Sequence, residues 1–139
     1  PLHSDVNKTG GVVLRILALK DQSIGNEGFI IKVEKGNIII SANQAPGLLY
    51  GAFELLRAIQ ISTPIQKISD AYQPRIQLRM LNHWDNVNGT IERGYAGASL
   101  WKWYELPETL DPRYRDYARA NASIGINAVA INNVNASAR

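Results

Sequence analysis

The chain has 139 residues, of which 45% are hydrophobic and 19% are charged, and its net charge at pH 7 is +3. This composition is that of a globular protein and excludes an intrinsically disordered one. The length suffices for one domain, or for a small domain with a piece of another, but not for a complete eight-stranded β/α barrel of about 250 residues. The basic residues are scattered along the chain, so nucleic acid is not predicted as a partner.

Cysteine is absent, which excludes disulfide scaffolds, thiolate metal sites and cysteine nucleophiles. The two histidines are His3 and His83, too few to predict a histidine metal site, and no cofactor is predicted either. No apolar run approaches the ~20 residues of a membrane span and no secretory leader is visible, so we expect no membrane partner. Because the chain begins at Pro1 rather than Met, we expect a trimmed or excised product.

The first forty residues predict strands. Residues 1–9 are polar and are expected to be loose, whereas 12–19 are nearly all apolar and predict a strand that is covered on both faces. Two further β-rich runs, 28–33 and 37–42, are separated by a short turn in which Gly36 can adopt a positive φ. This pattern predicts a β-hairpin.

A helix is predicted over residues 46–60, because Pro46 is tolerated in the first turn and apolar residues follow at helical spacing. The residues expected on its buried face are Leu49, Ala52, Phe53, Leu56 and Ile59. Gly47 and Gly51 would allow a close approach to a sheet. Residues 61–68 contain a proline and predict an edge strand or a connection. The N-terminal part is thus predicted to be a small α+β domain with one helix packed on a sheet.

The turn-rich stretch 69–74 predicts a domain boundary, with an α+β accessory domain at 1–72 and a second domain at 73–139. The polar residues before this boundary have the character of a solvated surface, and none of them is a candidate site. The second domain opens with a strand predicted at 76–81, which leads into a long polar and aromatic loop.

A second helix is predicted to begin at Pro112 with Asp111 as its N-cap and to end near Ser123, where Gly125 can form a left-handed cap. The residues expected to be buried are Tyr114, Tyr117, Ala118 and Ile124. A buried strand is predicted at 126–132. This order predicts a βαβ unit with parallel strands and a right-handed crossover, as at the start of a β/α barrel.

The candidate site lies where the strand after the boundary ends. That strand end carries Asn82, His83, Trp84, Asp85 and Asn86. The loop that follows adds Glu92, Arg93, Tyr95, Trp101 and Trp103, with glycines at 89, 94 and 97 for turns. Carbohydrate is the ligand that fits this mixture, since sugar rings offer apolar faces to aromatic residues and hydroxyls to polar ones.

Each residue of the strand end has a structural interpretation beside the functional one. Trp84 is either a platform for a sugar ring or a core residue that plugs the barrel mouth. A lone histidine such as His83 is more often a structural group than a ligand or base. Asp85 and Asn86 either bind hydroxyls or cap the turn that follows.

In the loop, Glu92 and Arg93 suit an acidic sugar, because a carboxylate accepts from hydroxyls and a guanidinium pairs with a uronate carboxylate. The alternative is that they pair with other groups of the barrel. Tyr95, Trp101 and Trp103 are either core residues beneath the loop or, for Trp101 in particular, a wall of the sugar pocket.

Three segments closely resemble the α-glucuronidases of glycoside hydrolase family 67: residues 78–86 (LRMLNHWDN), 91–97 (IERGYAG) and 99–101 (SLW). The resemblance extends to GLLYG and to SIGIN, at 47–51 and 123–127, and covers nearly the whole chain from about residue 28. Such an uninterrupted pattern is far more specific than a three-glycine motif.

The resemblance implies an enzyme that removes glucuronic acid, or its 4-O-methyl ether, from xylan-derived oligosaccharides with inversion. It implies three parts, namely an N-terminal α+β domain, a central TIM (β/α)8 barrel and a C-terminal helical domain. The chain would then be the α+β domain followed by the first βαβ unit of a truncated barrel. Its partners would be a glucuronic-acid-bearing xylo-oligosaccharide and the rest of the parent chain, and the parent would be compatible with a homodimer.

Inverting hydrolysis needs an acid and a base on carboxyl groups roughly 6.5–9.5 Å apart. In the resembling family these groups come from later barrel strands, so no catalytic residue is assigned here and the chain alone is expected to be inactive. The residues predicted to bind substrate are Trp84, Asp85, Glu92, Arg93 and Trp101. One alternative is a stand-alone carbohydrate-binding or interaction module, and a weaker one is another hydrolase that shares the N-terminal domain.

Overall fold

The computed structural model describes residues 10–68 and 71–135, so the loose segment predicted at 1–9 and residues 69–70 of the predicted boundary lie outside the described residues. The chain divides into two compact units, Pro1–Gln77 and Leu78–Arg139. The described residues combine two sheets with two α-helices, which confirms the prediction of a mixed α and β protein.

The first unit contains a four-stranded sheet in the order β1-β3-β2-β4. Its strands are β1 (Val12–Ile16), β2 (Phe29–Glu34), β3 (Asn37–Ala42) and β4 (Ala71–Tyr72), and the last of these was not predicted. β1 is parallel to β3, and the other pairs are antiparallel. The predicted hairpin is confirmed, and both residues of its turn, Lys35 and Gly36, have positive φ, 50° and 80°. This is the turn geometry that matches the twist of paired strands.

The helix of this unit, α1 (Ala45–Gln60), packs closely on the sheet through its glycines. A Cβ atom on Gly47 would lie 2.2 Å from the carbonyl oxygen of Gly28, and one on Gly51 would lie 2.5 Å from Cγ2 of Ile40. No side chain fits in these gaps, so the predicted close approach is confirmed.

The buried face of α1 differs from the predicted one. The buried positions are Gly47, Gly51, Leu55 and Ala58, whereas Ala52 and Phe53 are half-buried and Leu49, Leu56 and Ile59 are 48%, 53% and 61% exposed. The glycines explain the difference, because the face nearest the sheet must contain them, and residues at helical spacing from Gly51 are Leu55 and Ala58. The buried core of the unit comprises Phe29, Ile31, Ile40, Ala42, Leu55, Ala58 and Ile68.

The prediction for the first strand of this unit needs correction, whereas one of the two alternatives for residues 61–68, a connection, is confirmed. The first strand ends at Ile16 rather than at residue 19, and it is not covered on both faces, since its apolar residues Val12, Leu14 and Ile16 are 54%, 55% and 50% exposed. Among the described residues β1 pairs only with β3, so it is an edge strand. Residues 61–68 are a connection that contains a short 3-10 helix, Ile65–Lys67.

The second unit contains β5 (Met80–Asp85), α2 (Pro112–Ser123) and β6 (Ala128–Asn133). The two strands are parallel, with Met80 opposite Ala128 and Asp85 opposite Asn133, which confirms the predicted parallel pair with a helix between its strands. The first strand was predicted too early, at 76–81. Because the strand extends to Asp85, most of the polar residues assigned to its end belong to the sheet itself.

The predicted bounds of α2 are confirmed, and so are its caps: Oδ1 of Asp111 accepts from the backbone N–H of Arg113 at 2.9 Å, and Gly125 has a φ of 79°. The buried stripe differs in part. Tyr114 and Tyr117 are half-buried, Ala118 and Ile124 are exposed, and Asn121 is buried instead. Asn121 lies four residues after Tyr117 and therefore continues its face, whereas Ile124 lies beyond the helix end.

The N-cap of α2 predicts a pH-dependent stability. The hydrogen bond from Arg113 and the ammonium of Lys102, 2.9 Å from Oδ2 of Asp111, lower the pKa of Asp111. The contribution of ionised Asp111 is therefore complete above its unfolded pKa of about 3.9 and is lost as the pH falls through the lower folded pKa. We expect Asp111→Ala to lower the midpoint of thermal unfolding at pH 7 by a few degrees.

The matched variant is Asp111→Asn, which keeps an oxygen to cap the helix but cannot pair with Lys102. Thermal unfolding should show a smaller loss for Asn than for Ala at pH 7. The difference between wild type and Asp111→Asn should shrink as the pH falls from 7 to below the folded pKa, where the carboxyl is protonated. A difference that is equal at both ends of this pH range would contradict the role of the charge.

Candidate functional site

The two faces of β5 have different surroundings. Side chains alternate along a strand, so His83 and Asp85 share one face and Asn82 and Trp84 share the other. Nε2 of His83 lies 2.6 Å from the hydroxyl oxygen of Tyr117, so the first face is directed toward α2. Trp84 is 51% exposed. The face opposite α2 is therefore the accessible one.

After β5 the chain turns back along the strand end. Asp85 forms an antiparallel bridge with Ile91, and the backbone N–H of Glu92 donates to the carbonyl oxygen of Trp84 at 2.8 Å. This register sets Glu92 opposite Trp84, and directly opposite residues of an antiparallel pair project to the same side. Trp84 and Glu92 are therefore neighbours on one face of the short antiparallel pair that β5 forms with residues 91 and 92.

Asn86 holds this turn closed. Its Nδ2 donates to Oγ1 of Thr90 at 2.8 Å and to the carbonyl oxygens of Ile91 and Glu92, each at 3.1 Å. Oδ1 of Asn88 accepts from the backbone N–H of Thr90 at 3.1 Å and from its hydroxyl at 2.8 Å. Since the amide donors of Asn86 are committed to the turn, its side chain fits the capping interpretation.

Asp85 is buried, with 1% of its surface exposed. Its Oδ2 accepts from the hydroxyl of Ser99 and from Nε1 of Trp103, the latter at 2.9 Å. Oγ of Ser99 in turn accepts from the backbone N–H of Trp101 at 2.9 Å. The Asp85 carboxylate therefore fastens the end of β5 to the chain segment that follows the loop.

Trp101 is also buried, with 8% exposure. Its ring lies against three other rings, with centroid distances of 5.6 Å to His83, 4.8 Å to Tyr114 and 5.7 Å to Tyr117. These four residues form an aromatic cluster between β5 and α2. Of the two interpretations made for Trp101 from the sequence, core residue and pocket wall, this environment is that of a core residue.

The remaining candidates are accessible. Nε of Arg93 lies 3.7 Å from Oε2 of Glu92, and their side chains are 69% and 33% exposed. Tyr95 is 85% exposed at the tip of the loop, between Gly94 and Gly97, whose φ values of 72° and 91° form the turns there. The partial exposure of the ion pair leaves both charged groups available to a ligand.

The accessible face also carries two asparagines, Asn82, which was among the candidates at the strand end, and Asn132, which was not. Asn132 of β6 is opposite Trp84, and its Nδ2 donates to Oδ1 of Asn82. Both side chains are exposed. A signal for this pair was present in the sequence, because two parallel strands that both end in polar residues bring those residues to one edge.

Over residues 10–68 and 71–135, no group of three or more His, Cys, Asp or Glu side chains is placed to hold a metal ion. No α-helix in the same ranges is long and apolar enough to cross a membrane.

The models described as "Glycosyl hydrolase family 67 N-terminus" and "Glycosyl hydrolase family 67 middle domain" match residues 9–55 and 58–139. Alpha-glucuronidase A of Aspergillus tubingensis and Probable alpha-glucuronidase A of Aspergillus niger are each 42% identical to the chain over 113 residues. Probable alpha-glucuronidase A of Neosartorya fischeri is 38% identical over the same length.

Each of these alignments covers 81% of the chain and 13% of the relative, so the chain spans about one eighth of the length of these curated proteins. The family models together account for nearly all of the sequence, and the resemblance found in the motifs is confirmed. The chain belongs to glycosyl hydrolase family 67.

Proposed function

We propose that the chain is part of an α-glucuronidase, which hydrolyses glucuronic acid or its 4-O-methyl ether from xylan-derived oligosaccharides with inversion. The names of its relatives and its membership of the family support this activity. The observation that carries the role of this chain is the accessible pairing of Trp84 with Glu92 at the end of β5. The chain contributes scaffold and part of the uronic-acid pocket.

The second unit is the beginning of a β/α barrel. Residues 73–139 supply its first β/α module and second strand, and residues 1–72 form the accessory domain. The parallel pair β5–β6, with α2 between its strands and toward one face, supports this assignment. The face opposite α2 becomes the barrel interior, and substrate binds at the carboxyl ends of the strands, as in other barrel enzymes.

The residues selected from the sequence then have two kinds of role. Trp84 stacks on the apolar face of the sugar, Glu92 accepts hydrogen bonds from its hydroxyls, and Arg93 pairs with its carboxylate. Asp85 and Trp101 hold these residues in place from beneath, since both are buried and bonded or packed within the unit.

The acid and base of the reaction come from other parts of the enzyme, so the 139-residue chain is inactive alone. Its partners are a xylo-oligosaccharide that carries glucuronic acid and the rest of the parent chain, and the parent is compatible with a homodimer. The accessible charged pair suits an acidic sugar because an Arg guanidinium binds a carboxylate through two parallel hydrogen bonds.

Calorimetric titration of the full-length enzyme with glucuronic acid tests the pocket. We expect Glu92→Ala and Arg93→Ala each to weaken binding by about 10- to 100-fold, because each removes a charge-assisted hydrogen bond. Arg115→Ala, which removes an exposed arginine of α2, is the matched control and should bind normally. Unchanged affinity in both test variants would refute the assignment of the pocket.

A further inference from the structure

We propose that Asn82 and Asn132 form a hydroxyl-reading pair, which recognises two adjacent hydroxyl groups of the sugar ring that stacks on Trp84. The inference rests on the proposed function and extends it, since it names the groups that determine which pyranose is accepted. It starts from the register of the parallel strands, in which Trp84 lies opposite Asn132 and Asn82 lies opposite Ala130. Asn82, Trp84 and Asn132 therefore project from the same face of the sheet.

The bond between the two amides fixes their orientation. Nδ2 of Asn132 donates to Oδ1 of Asn82, across a diagonal of the strand pair. Within the described part of the chain this leaves Nδ2 of Asn82 as a free donor and Oδ1 of Asn132 as a free acceptor. Exchanging N and O in both side chains again leaves one amide nitrogen and one carbonyl oxygen without a protein partner among the described residues.

A fixed donor beside a fixed acceptor matches a pair of neighbouring hydroxyls. Each hydroxyl has one hydrogen to donate and lone pairs that accept, so one of them accepts from Asn82 while the next donates to Asn132. A ring that lacks either hydroxyl leaves one amide group without its partner when water is excluded, which costs affinity. The pair therefore discriminates by the position of hydroxyls, whereas Arg93 and Glu92 respond to charge.

The surroundings leave space for a ring at this position. The residues that precede Asn132 on the same face of β6 are Ala128 and Ala130, whose side chains are small. On β5 the neighbouring Trp84 is 51% exposed, so its ring has a free surface beside the amides. Asn132 lies directly opposite Trp84, so a sugar ring that stacks on Trp84 has its edge near the amide of Asn132.

The test compares ligands and variants in one set of titrations on the full-length enzyme. The ligands are glucuronic acid and its 2-deoxy, 3-deoxy and 4-deoxy analogues, and the variants are Asn82→Ala, Asn132→Ala and Trp84→Ala. We expect Asn82→Ala and Asn132→Ala each to weaken binding of glucuronic acid by about tenfold. One deoxy analogue lacks the hydroxyl that Asn82 binds, and another lacks the hydroxyl that Asn132 binds. Each of these analogues should bind to wild type and to the corresponding alanine variant with equal affinity, because the hydrogen bond is already absent.

Asn26→Ala, which removes an exposed amide of the other unit, is the control and should bind all four ligands as wild type does. Losses that are the same for every analogue in both asparagine variants, or no loss at all, overturn the inference. Failure of the proposed function is distinguished by Trp84→Ala. If Trp84→Ala binds glucuronic acid with the affinity of wild type, the pocket is elsewhere and the proposed function of this site fails. If Trp84→Ala binds more weakly but both asparagine variants bind as wild type does, only the hydroxyl-reading pair is refuted.

Discussion

Gly28→Ala should destabilise the first unit by about 3 kcal/mol or more. A Cβ atom on Gly28 would lie 2.1 Å from the carbonyl oxygen of Ile24 and 2.3 Å from that of Tyr72. Both are main-chain atoms, so the clash cannot be relieved by rotating a side chain. The backbone at Ile24 and at Tyr72 of β4 would have to move away from the start of β2, which contributes Phe29 and Ile31 to the buried core. Urea denaturation of the chain, followed by circular dichroism, measures the loss.

The matched control is Gly11→Ala. A Cβ atom there meets only Oδ1 of Asn37, at the ordinary contact distance of 3.5 Å. This variant should unfold within about 0.5 kcal/mol of wild type, since it creates neither a clash nor a cavity. Equal stability of the Gly28 and Gly11 variants would show that the backbone around Ile24 can move to accommodate a Cβ atom at little cost.

Asp85→Ala should destabilise the second unit by about 3 kcal/mol and loosen the loop that carries Glu92. The substitution removes the acceptor of the Ser99 hydroxyl and of Nε1 of Trp103, and unsatisfied buried donors cost about 1–3 kcal/mol each. Because Asp85 also fixes the strand end, amide hydrogen exchange at Ile91 and Glu92 should accelerate.

Two variants control for this result. Asp85→Asn retains an acceptor oxygen and nearly the same volume, so it should lose less stability than Asp85→Ala. Asp116→Ala removes a carboxylate of α2 that is 76% exposed, and it should change neither stability nor exchange. Wild-type exchange rates at Glu92 in Asp85→Ala would mean that the loop is held without this carboxylate.

Local signals predicted those parts of the fold that local chemistry determines. The hairpin at β2–β3 depends on its two-residue turn, and the bounds of α2 depend on Asp111 and on Gly125, so both were predictable. The face of α1 was not, because two signals disagreed there. Apolar spacing favoured Leu49 and Leu56, whereas the tight contact of Gly51 with the sheet selected the other face.

The candidate site was predictable in its location but not in the division between buried and accessible residues. The sequence groups Trp84, Asp85 and Trp101 by chemical type, since all three can contact sugar. The structure shows that β5 extends through Asp85, and side chains alternate along a strand. Trp84 and Asp85 therefore point to opposite faces, which the composition of the segment does not indicate. The polar ends of both strands indicated that Asn132 lies near this edge, but its position opposite Trp84 follows only from the strand register.

The alternation along β5 has a consequence for altering this chain by design. His83 contacts Tyr117 of α2 and Asp85 bonds Trp103, so these two residues hold the strand in the unit, whereas the side chains at positions 80, 82 and 84 are exposed. Random libraries at positions 80, 82 and 84 should therefore yield folded proteins at high frequency, and under the proposed function these proteins should differ mainly in sugar binding. The same strand thus separates the positions that determine stability from those that tolerate variation.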